Sequence, residues 1–159
     1  MGAIQNDWIL QLGRRFSASR FWDEVRSSTA VSFTALGAMI PILLKAEPSD
    51  RDRDHHVRTV VSAACPDWAW REFEERFGVR IVEFYGMVDS PGLLINAEGR
   101  VGSMGRAVTG IEFQVVSDEE PVPDGTVGEL VFRHPRGPLT HYHRDPDASA
   151  RAYRGGWFH

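Results

Sequence analysis

An aromatic ring, a glycine and a carboxylate follow one another closely at the end of a short apolar segment. The run Val79–Phe84 predicts a strand, Tyr85 and Gly86 break it, and Asp89 comes three residues later. In an open α/β sheet, ligands bind outside the carboxyl ends of the strands. There, a tyrosine offers a stacking face, a glycine lets a ligand approach the backbone, and a carboxylate can bind a cation. A tyrosine followed by a glycine also occurs at the ends of strands that bind no ligand.

The elements ahead of this segment alternate between strand and helix patterns. Strands are expected at Trp8–Leu12, Ala30–Phe33 and Val57–Ser62, and helices over Ser17–Ser28, Leu36–Leu44 and Asp67–Phe77. Gly78 is expected to end the last of these helices. The alternation predicts an α/β fold with part of a parallel sheet layer.

The pattern changes near Gly99. The alternating run Ile111–Val116 is followed by a Pro/Asp/Gly turn and then by Thr126–Arg133, which together predict a β-hairpin. Asp145 and Pro146 are typical of a helix start, and Gly155 and Gly156 are expected to end that helix. We therefore expect a partial α/β subdomain over residues 1–98 and a small, antiparallel, β-rich subdomain over residues 99–159.

Composition and charge indicate which partners and which cellular compartment to expect. The net charge of −4 and the pI near 5.8 argue against a nucleic-acid partner. The single cysteine, Cys65, cannot form an internal disulfide, which is typical of a reducing compartment. The apolar stretch Ala38–Leu44 is interrupted by Pro41 and is too short to cross a bilayer. The chain is expected to be cytoplasmic, with no membrane partner.

Five motifs occur in the order typical of the adenylate-forming acyl-CoA synthetase superfamily, which the chain resembles. The family carries Tyr-Gly-x-Thr-Glu, Gly-Glu-Leu, Gly-Tyr, a Pro-x-x-Thr/Ser helix start and Gly-Trp-x-x-Thr-Gly-Asp. The corresponding residues are Tyr85–Asp89, Gly128–Leu130, Tyr142, Asp145–Ala150 and Gly155–His159. Two further segments, Arg15–Val25 and Leu36–Pro41, resemble the carnitine/crotonobetaine-CoA ligase branch most.

The resemblance implies that residues 1–98 are a partial nucleotide-binding subdomain and residues 99–159 a partial β-rich one. It also implies ATP or AMP, Mg²⁺ and coenzyme A as cofactors. It implies an adenine wall and adjoining loop made of Ala63, Ala64, Cys65, Pro66, Glu83, Phe84, Tyr85, Gly86, Met87 and Val88. Asp89 stands where the family has a magnesium-binding glutamate. Val88 replaces a threonine whose hydroxyl contacts phosphate, a contact of about 1.5–3 kcal/mol. The segment Ala63–Pro66 also fits an ordinary tight turn, and no residue is assigned a catalytic role.

The resemblance also implies what kind of protein the chain belongs to. The family's phosphate loop, its Thr-Gly-Asp ribose anchor and its C-terminal lysine have no counterpart in these residues. We therefore expect a central fragment of an ATP-dependent acid–CoA ligase, which adenylates a carboxylic acid and then forms a thioester. The isolated chain is expected to be inactive and to self-associate through an exposed sheet edge. The alternative is a non-catalytic nucleotide-binding or interaction module, or a truncated remnant.

Overall fold

The computed structural model describes residues 6–90 and 92–159, and the chain divides into two units, Met1–Ile81 and Val82–His159. The division falls inside a strand rather than near Gly99. The assignment of residues 1–98 and 99–159 as functional subdomains stays a prediction. Within the described residues, no helix has both the length and the apolar character needed to cross a membrane.

The first unit alternates helices and strands, which confirms the α/β class. Its elements are α1 (Ala18–Ser28), β1 (Ser32–Leu36), α2 (Met39–Leu44), β2 (Thr59–Ala63), α3 (Asp67–Phe77) and the start of β3 (Arg80–Gly86). Strands β1 and β2 pair in parallel, from Ser32 opposite Thr59 to Leu36 opposite Ala63. Both strands begin two residues later than the sequence pattern predicted.

The core of the first unit is built on one face of α3. Trp70, Phe73 and Phe77 recur at helical spacing on this face and are fully buried. Trp22 of α1 stacks on Phe77 with 4.5 Å between ring centroids. Gly78 ends the helix in the left-handed region at φ 66°, and its N–H donates to the carbonyl of Glu74.

The strand expected at Trp8–Leu12 is a wrong prediction. These residues have no regular secondary structure, and the side chains of Trp8, Ile9, Leu10 and Leu12 are 66–99% exposed. An apolar run favours a strand, but a strand also needs backbone groups on a neighbouring strand to pair with. The sequence of this segment shows the apolar run, but it cannot show whether a neighbouring strand is available for pairing.

The strands that pair with one another inside the second unit do so in antiparallel fashion. It contains the rest of β3 and β4 (Leu93–Asn96), β5 (Arg106–Ala107), β6 (Glu112–Ser117), β7 (Glu120–Pro121), β8 (Glu129–Arg133), α4 (Pro146–Ala152), β9 (Tyr153–Arg154) and β10 (Trp157–Phe158). Strand β4 pairs with β3 and with β5, and the second sheet has the order β7-β6-β8-β10-β9. The pairing of β6 with β8 confirms the predicted hairpin. The antiparallel strands β4 and β5 were not predicted.

The glycine pair at the end of α4 has a different role from the one expected. The sequence suggested that Gly155 and Gly156 end the helix, whereas α4 already ends at Ala152. The two glycines have φ values of 58° and 86° and connect β9 to β10, with Trp157 opposite Arg154. Two successive residues with positive φ form the tight hairpin turn that glycine favours.

Candidate functional site

Strand β3 carries the predicted Tyr-Gly segment to the end of its antiparallel pair with β4. Ile81 and Glu83 are buried, Tyr85 is half-buried, and the strand ends at Gly86. In the register with β4, Tyr85 lies opposite Leu94. Tyr85 and Gly86, which were expected to break the strand, therefore belong to it, and the exit to the loop follows Gly86.

The ring of Tyr85 is held by an aromatic partner from β8. It stacks on Phe132 with 6.1 Å between ring centroids and 16° between ring planes, and Phe132 is fully buried. Near-parallel, offset aromatic pairs of this kind are favourable. Because Phe132 covers one face of the Tyr85 ring, a purine can stack only on the opposite face.

Asp89 is held by a residue that is distant in the sequence. The hydroxyl of Tyr142 donates a hydrogen bond to Oδ2 of Asp89 at 2.7 Å. Ionisation of the phenol would break this bond and place two negative charges together, so the bond to Asp89 raises the pKa of Tyr142. The motif order placed Tyr142 in the family's Gly-Tyr segment, but it gave no signal that this side chain contacts Asp89.

Met87 and Val88 lie on the exposed loop between Tyr85 and Asp89. The Val88 side chain is fully exposed and offers no hydrogen-bond donor. Met87 is 42% exposed, and its sulfur lies 3.9 Å from the hydroxyl of Tyr85. The loop therefore presents one polar group of chemical interest, the Asp89 carboxylate, beside two apolar side chains.

The small-residue segment Ala63–Pro66 forms a tight turn in the first unit. The carbonyl of Ala63 accepts a hydrogen bond from Gly37 at 3.0 Å, Ala64 adopts a positive φ of 63°, and Pro66 precedes the first residue of α3. Cys65 is half-buried, with its sulfur 3.7 Å from the carbonyl oxygen of Pro66. The segment belongs to a different unit from Tyr85, so a shared adenine wall stays a prediction.

The carboxylate of Asp89 can be compared with the protein ligands that a magnesium site requires. Over residues 6–90 and 92–159, no three His, Cys, Asp or Glu side chains cluster closely enough to hold a metal ion by themselves. Mg²⁺ is usually bound by one or two carboxylates together with substrate phosphates and water. A single carboxylate such as that of Asp89 is compatible with a site of this kind, and the metal role of Asp89 stays a prediction.

Comparison with known sequences identifies relatives along most of the chain. The profile of the AMP-binding enzyme family matches residues 8–142. The crotonobetaine/carnitine–CoA ligase of Salmonella agona (strain SL483) is 32% identical over 154 residues, covering 91% of this chain and 30% of that protein. The medium/long-chain-fatty-acid–CoA ligase FadD6 of Mycobacterium tuberculosis is 32% identical over 175 residues, covering 98% of this chain and 29% of that protein. The chain thus spans about 30% of the length of these relatives.

Comparison with solved structures finds the same fold in CoA ligases. The anthranilate CoA ligase AuaEII in complex with anthranoyl-AMP superposes with a TM-score of 0.79 at 26% identity, over 95% of this chain and 30% of that one. The O-succinylbenzoate coenzyme A synthetase of Bacillus subtilis in complex with AMP gives a TM-score of 0.79 at 18% identity, over 98% of this chain and 33% of that one. These superpositions agree on the fold, and the profile match over residues 8–142 shows that the chain belongs to the AMP-binding enzyme family.

Proposed function

We propose that this chain is the part of an ATP-dependent acid–CoA ligase that binds the adenine and supplies one carboxylate to the metal ion. In the proposed reaction, a substrate carboxylate attacks the α-phosphorus of ATP, which forms an acyl-adenylate and releases pyrophosphate. The thiol of coenzyme A then attacks the acyl carbon and displaces AMP, which forms the thioester. The observation that carries the proposal is the Tyr85 ring, fixed on Phe132 at the end of β3, with the Asp89 carboxylate on the loop that follows.

Each residue of the site has a separate part in this proposal. The free face of Tyr85 stacks on the adenine, and the backbone of Glu83, Phe84 and Gly86 lies along the base. The turn Ala63–Pro66 forms the rest of the adenine wall, and its small side chains let a flat base lie close to the backbone. Met87 and Val88 face the phosphate side.

Asp89 is the proposed ligand of the magnesium ion. When bound, Mg²⁺ neutralises phosphate charge during the displacement at phosphorus. The part of Asp89 is to present an oriented carboxylate oxygen, which the hydrogen bond from Tyr142 supports. The acid and coenzyme A are the remaining partners implied by the proposal, and no residue of this chain is assigned to them.

The test is a titration of the ¹⁵N-labelled chain with AMP, without metal, followed by NMR. Resonances of Ala63–Pro66 and of Glu83–Gly86 are expected to shift together. Ribose 5-phosphate, which lacks the base, should leave the Tyr85 amide unshifted. Stacking of a base on an aromatic ring contributes about 1–3 kcal/mol, so Tyr85→Ala should weaken AMP binding about 5- to 150-fold.

The matched variant is Tyr85→Phe, which keeps the ring and removes only the hydroxyl. It should bind AMP nearly as well as the unmodified chain, because the proposed contact uses the face of the ring. Shifts confined to the hairpin of β6 and β8, or no shifts at millimolar AMP, would count against the adenine site. Equal losses in Tyr85→Ala and Tyr85→Phe would show that the hydroxyl, and not stacking, holds the ligand.

A further inference from the structure

We infer that Tyr142 is a positioning residue, whose hydroxyl holds the Asp89 carboxylate in the orientation that receives a cation. The inference rests on the proposed function, because that function makes Asp89 the cation ligand. It adds a residue that touches neither nucleotide nor metal and acts only through Asp89.

The contact itself has the geometry of a strong hydrogen bond. Tyr142 and Asp89 are separated by 53 positions in the sequence, lie in the same unit, and approach to 2.7 Å between hydroxyl and carboxylate oxygens. Hydrogen bonds to an ionised acceptor are shorter and about twice as strong as those between neutral groups. A carboxylate has about four acceptor positions, so one bond to Oδ2 leaves capacity for a metal ion.

Tyr142 can orient its partner because its own backbone is fixed. Its N–H donates to Oγ of Ser149 at 2.9 Å, and its carbonyl accepts from the N–H of Asp145 at 3.2 Å. Asp145 in turn caps α4, since its Oδ1 accepts from the N–H of Ala148 at 2.8 Å. The backbone of Tyr142 is therefore tied to the capped first turn of α4.

Asp89 lies outside any helix or strand and is only half-buried, so its carboxylate gains from a partner that orients it. It lies on an irregular loop next to the fully exposed Val88 and the exposed Met87. A carboxylate on such a loop can rotate about two side-chain bonds, and ordering it on binding would weaken binding. The bond from Tyr142 orders it beforehand. Removing a hydrogen bond that orients a metal ligand typically weakens metal binding 10–100-fold.

The experiment uses Mn²⁺ alone as the probe, with the ¹⁵N-labelled chain and no nucleotide. Paramagnetic relaxation detects weakly populated binding, so the slope of amide relaxation against Mn²⁺ concentration reports relative affinity. For the amides next to Asp89, Tyr142→Phe is expected to reduce this slope about tenfold. Asp89→Asn measures the background relaxation caused by Mn²⁺ on other carboxylates. In the double variant Asp89→Asn/Tyr142→Phe, the slope should be the same as in Asp89→Asn alone.

The matched control is Tyr153→Phe, the same deletion at a tyrosine that packs edge-on against Phe158. In the described part of the chain, the Tyr153 hydroxyl is buried and makes no hydrogen bond to Asp89, so the slope should stay near that of the unmodified chain. A slope unchanged in Tyr142→Phe, or reduced equally in Tyr153→Phe, would overturn the inference. Absence of Mn²⁺ relaxation around Asp89 would overturn it together with the cation role of Asp89. Adenine binding at Tyr85 is judged separately by the metal-free AMP titration.

Discussion

Val88 and Asp89 are adjacent in the loop after β3, yet their side chains have opposite surroundings. Asp89 is half-buried and accepts a hydrogen bond from Tyr142, whereas Val88 is fully exposed. Changing Asp89 therefore affects a contact that orders the site. Changing Val88 alters only what the loop offers to a ligand.

This exposure makes Val88→Thr a clean test of the missing hydroxyl. The change adds a donor at nearly constant volume, and a hydrogen bond to a charged group contributes about 1.5–3 kcal/mol. We expect ATP to bind about tenfold more tightly to Val88→Thr, as measured by its dissociation constant in the presence of Mg²⁺. The free energy of unfolding should change by less than about 0.5 kcal/mol, as is usual for exposed positions.

Val127 provides the matched control, because it is 95% exposed and lies in a loop before β8. Val127→Thr should leave ATP affinity unchanged. If Val88→Thr binds ATP no better than the unmodified chain, the missing hydroxyl does not limit phosphate contact. Equal gains in both variants would indicate a nonspecific surface effect.

The sequence identified Tyr85 and Asp89 as candidates because both belong to one short motif. It did not identify Phe132 and Tyr142 as their partners, because both lie far along the chain, and the Gly-Tyr motif marked Tyr142 without indicating what it contacts. Phe132 reads as one apolar residue of a strand, and only the fold shows that it stacks on Tyr85. A local pattern can mark a ligand-binding group, whereas the groups that orient it depend on tertiary contacts.

At the scale of elements, Gly92 sets how closely β4 can approach β8. Gly92 is buried just before β4, and a Cβ atom at this position would lie 2.4 Å from the ring of Phe132. Contacts that short do not occur between real atoms, so any side chain at this position would displace the ring on which Tyr85 stacks. The absence of a Cβ at Gly92 thus protects the shape of the candidate site.

We therefore expect Gly92→Ala to destabilise the chain and to weaken AMP binding together. Overpacking of this size typically costs about 1–3 kcal/mol, and chemical denaturation measures it as a loss of unfolding free energy. Gly13→Ala is the control, since its added Cβ would lie 3.8 Å from the nearest side-chain atom, an ordinary contact. A Gly92→Ala chain as stable as the Gly13→Ala chain would show that Phe132 moves aside at no cost.

The elements that could be predicted are those with a period of their own. Helix α3 repeats apolar residues at helical spacing, β6 alternates them and β8 is a short apolar run after a turn, and the structure confirms all three. Strand β5 has only two residues and is defined by its pairing with β4, so no local pattern marks it. The run Trp8–Leu12 shows the converse, an apolar pattern without a strand.

At the scale of the whole molecule, unfolding should depend on pH through groups whose pKa differs between the folded and unfolded chain. His55 stacks on Trp22 with 4.7 Å between ring centroids and 9° between ring planes, and its Nδ1 accepts from the N–H of Val57 at 3.2 Å. Burial, followed by the positive charge of Arg26, lowers the pKa of His55 below its usual 6.5. The folded chain thus favours neutral His55.

The sign of the pH effect follows from this direction. As pH falls below about 6.5, the unfolded chain binds a proton at His55 before the folded chain does, so stability is lost through this window. Asp52 acts at lower pH. Burial opposes its charge, but the hydrogen bond from Arg76 at 2.7 Å keeps the pKa of Asp52 lowered. Its contribution is fully present above about 3.9 and disappears only as pH falls further.

The pH window above about 5 therefore isolates His55 from Asp52. Thermal unfolding midpoints measured between about pH 7.5 and 5.5 should fall for the unmodified chain as His55 becomes protonated in the unfolded state. His55→Gln removes the titrating ring, so its midpoint should change less over the same range, even if the loss of stacking on Trp22 lowers it at every pH. His56→Gln removes a neighbouring, exposed histidine and should retain the full pH dependence. A slope unchanged in His55→Gln, or flattened equally in His56→Gln, would show that His55 is not the titrating group.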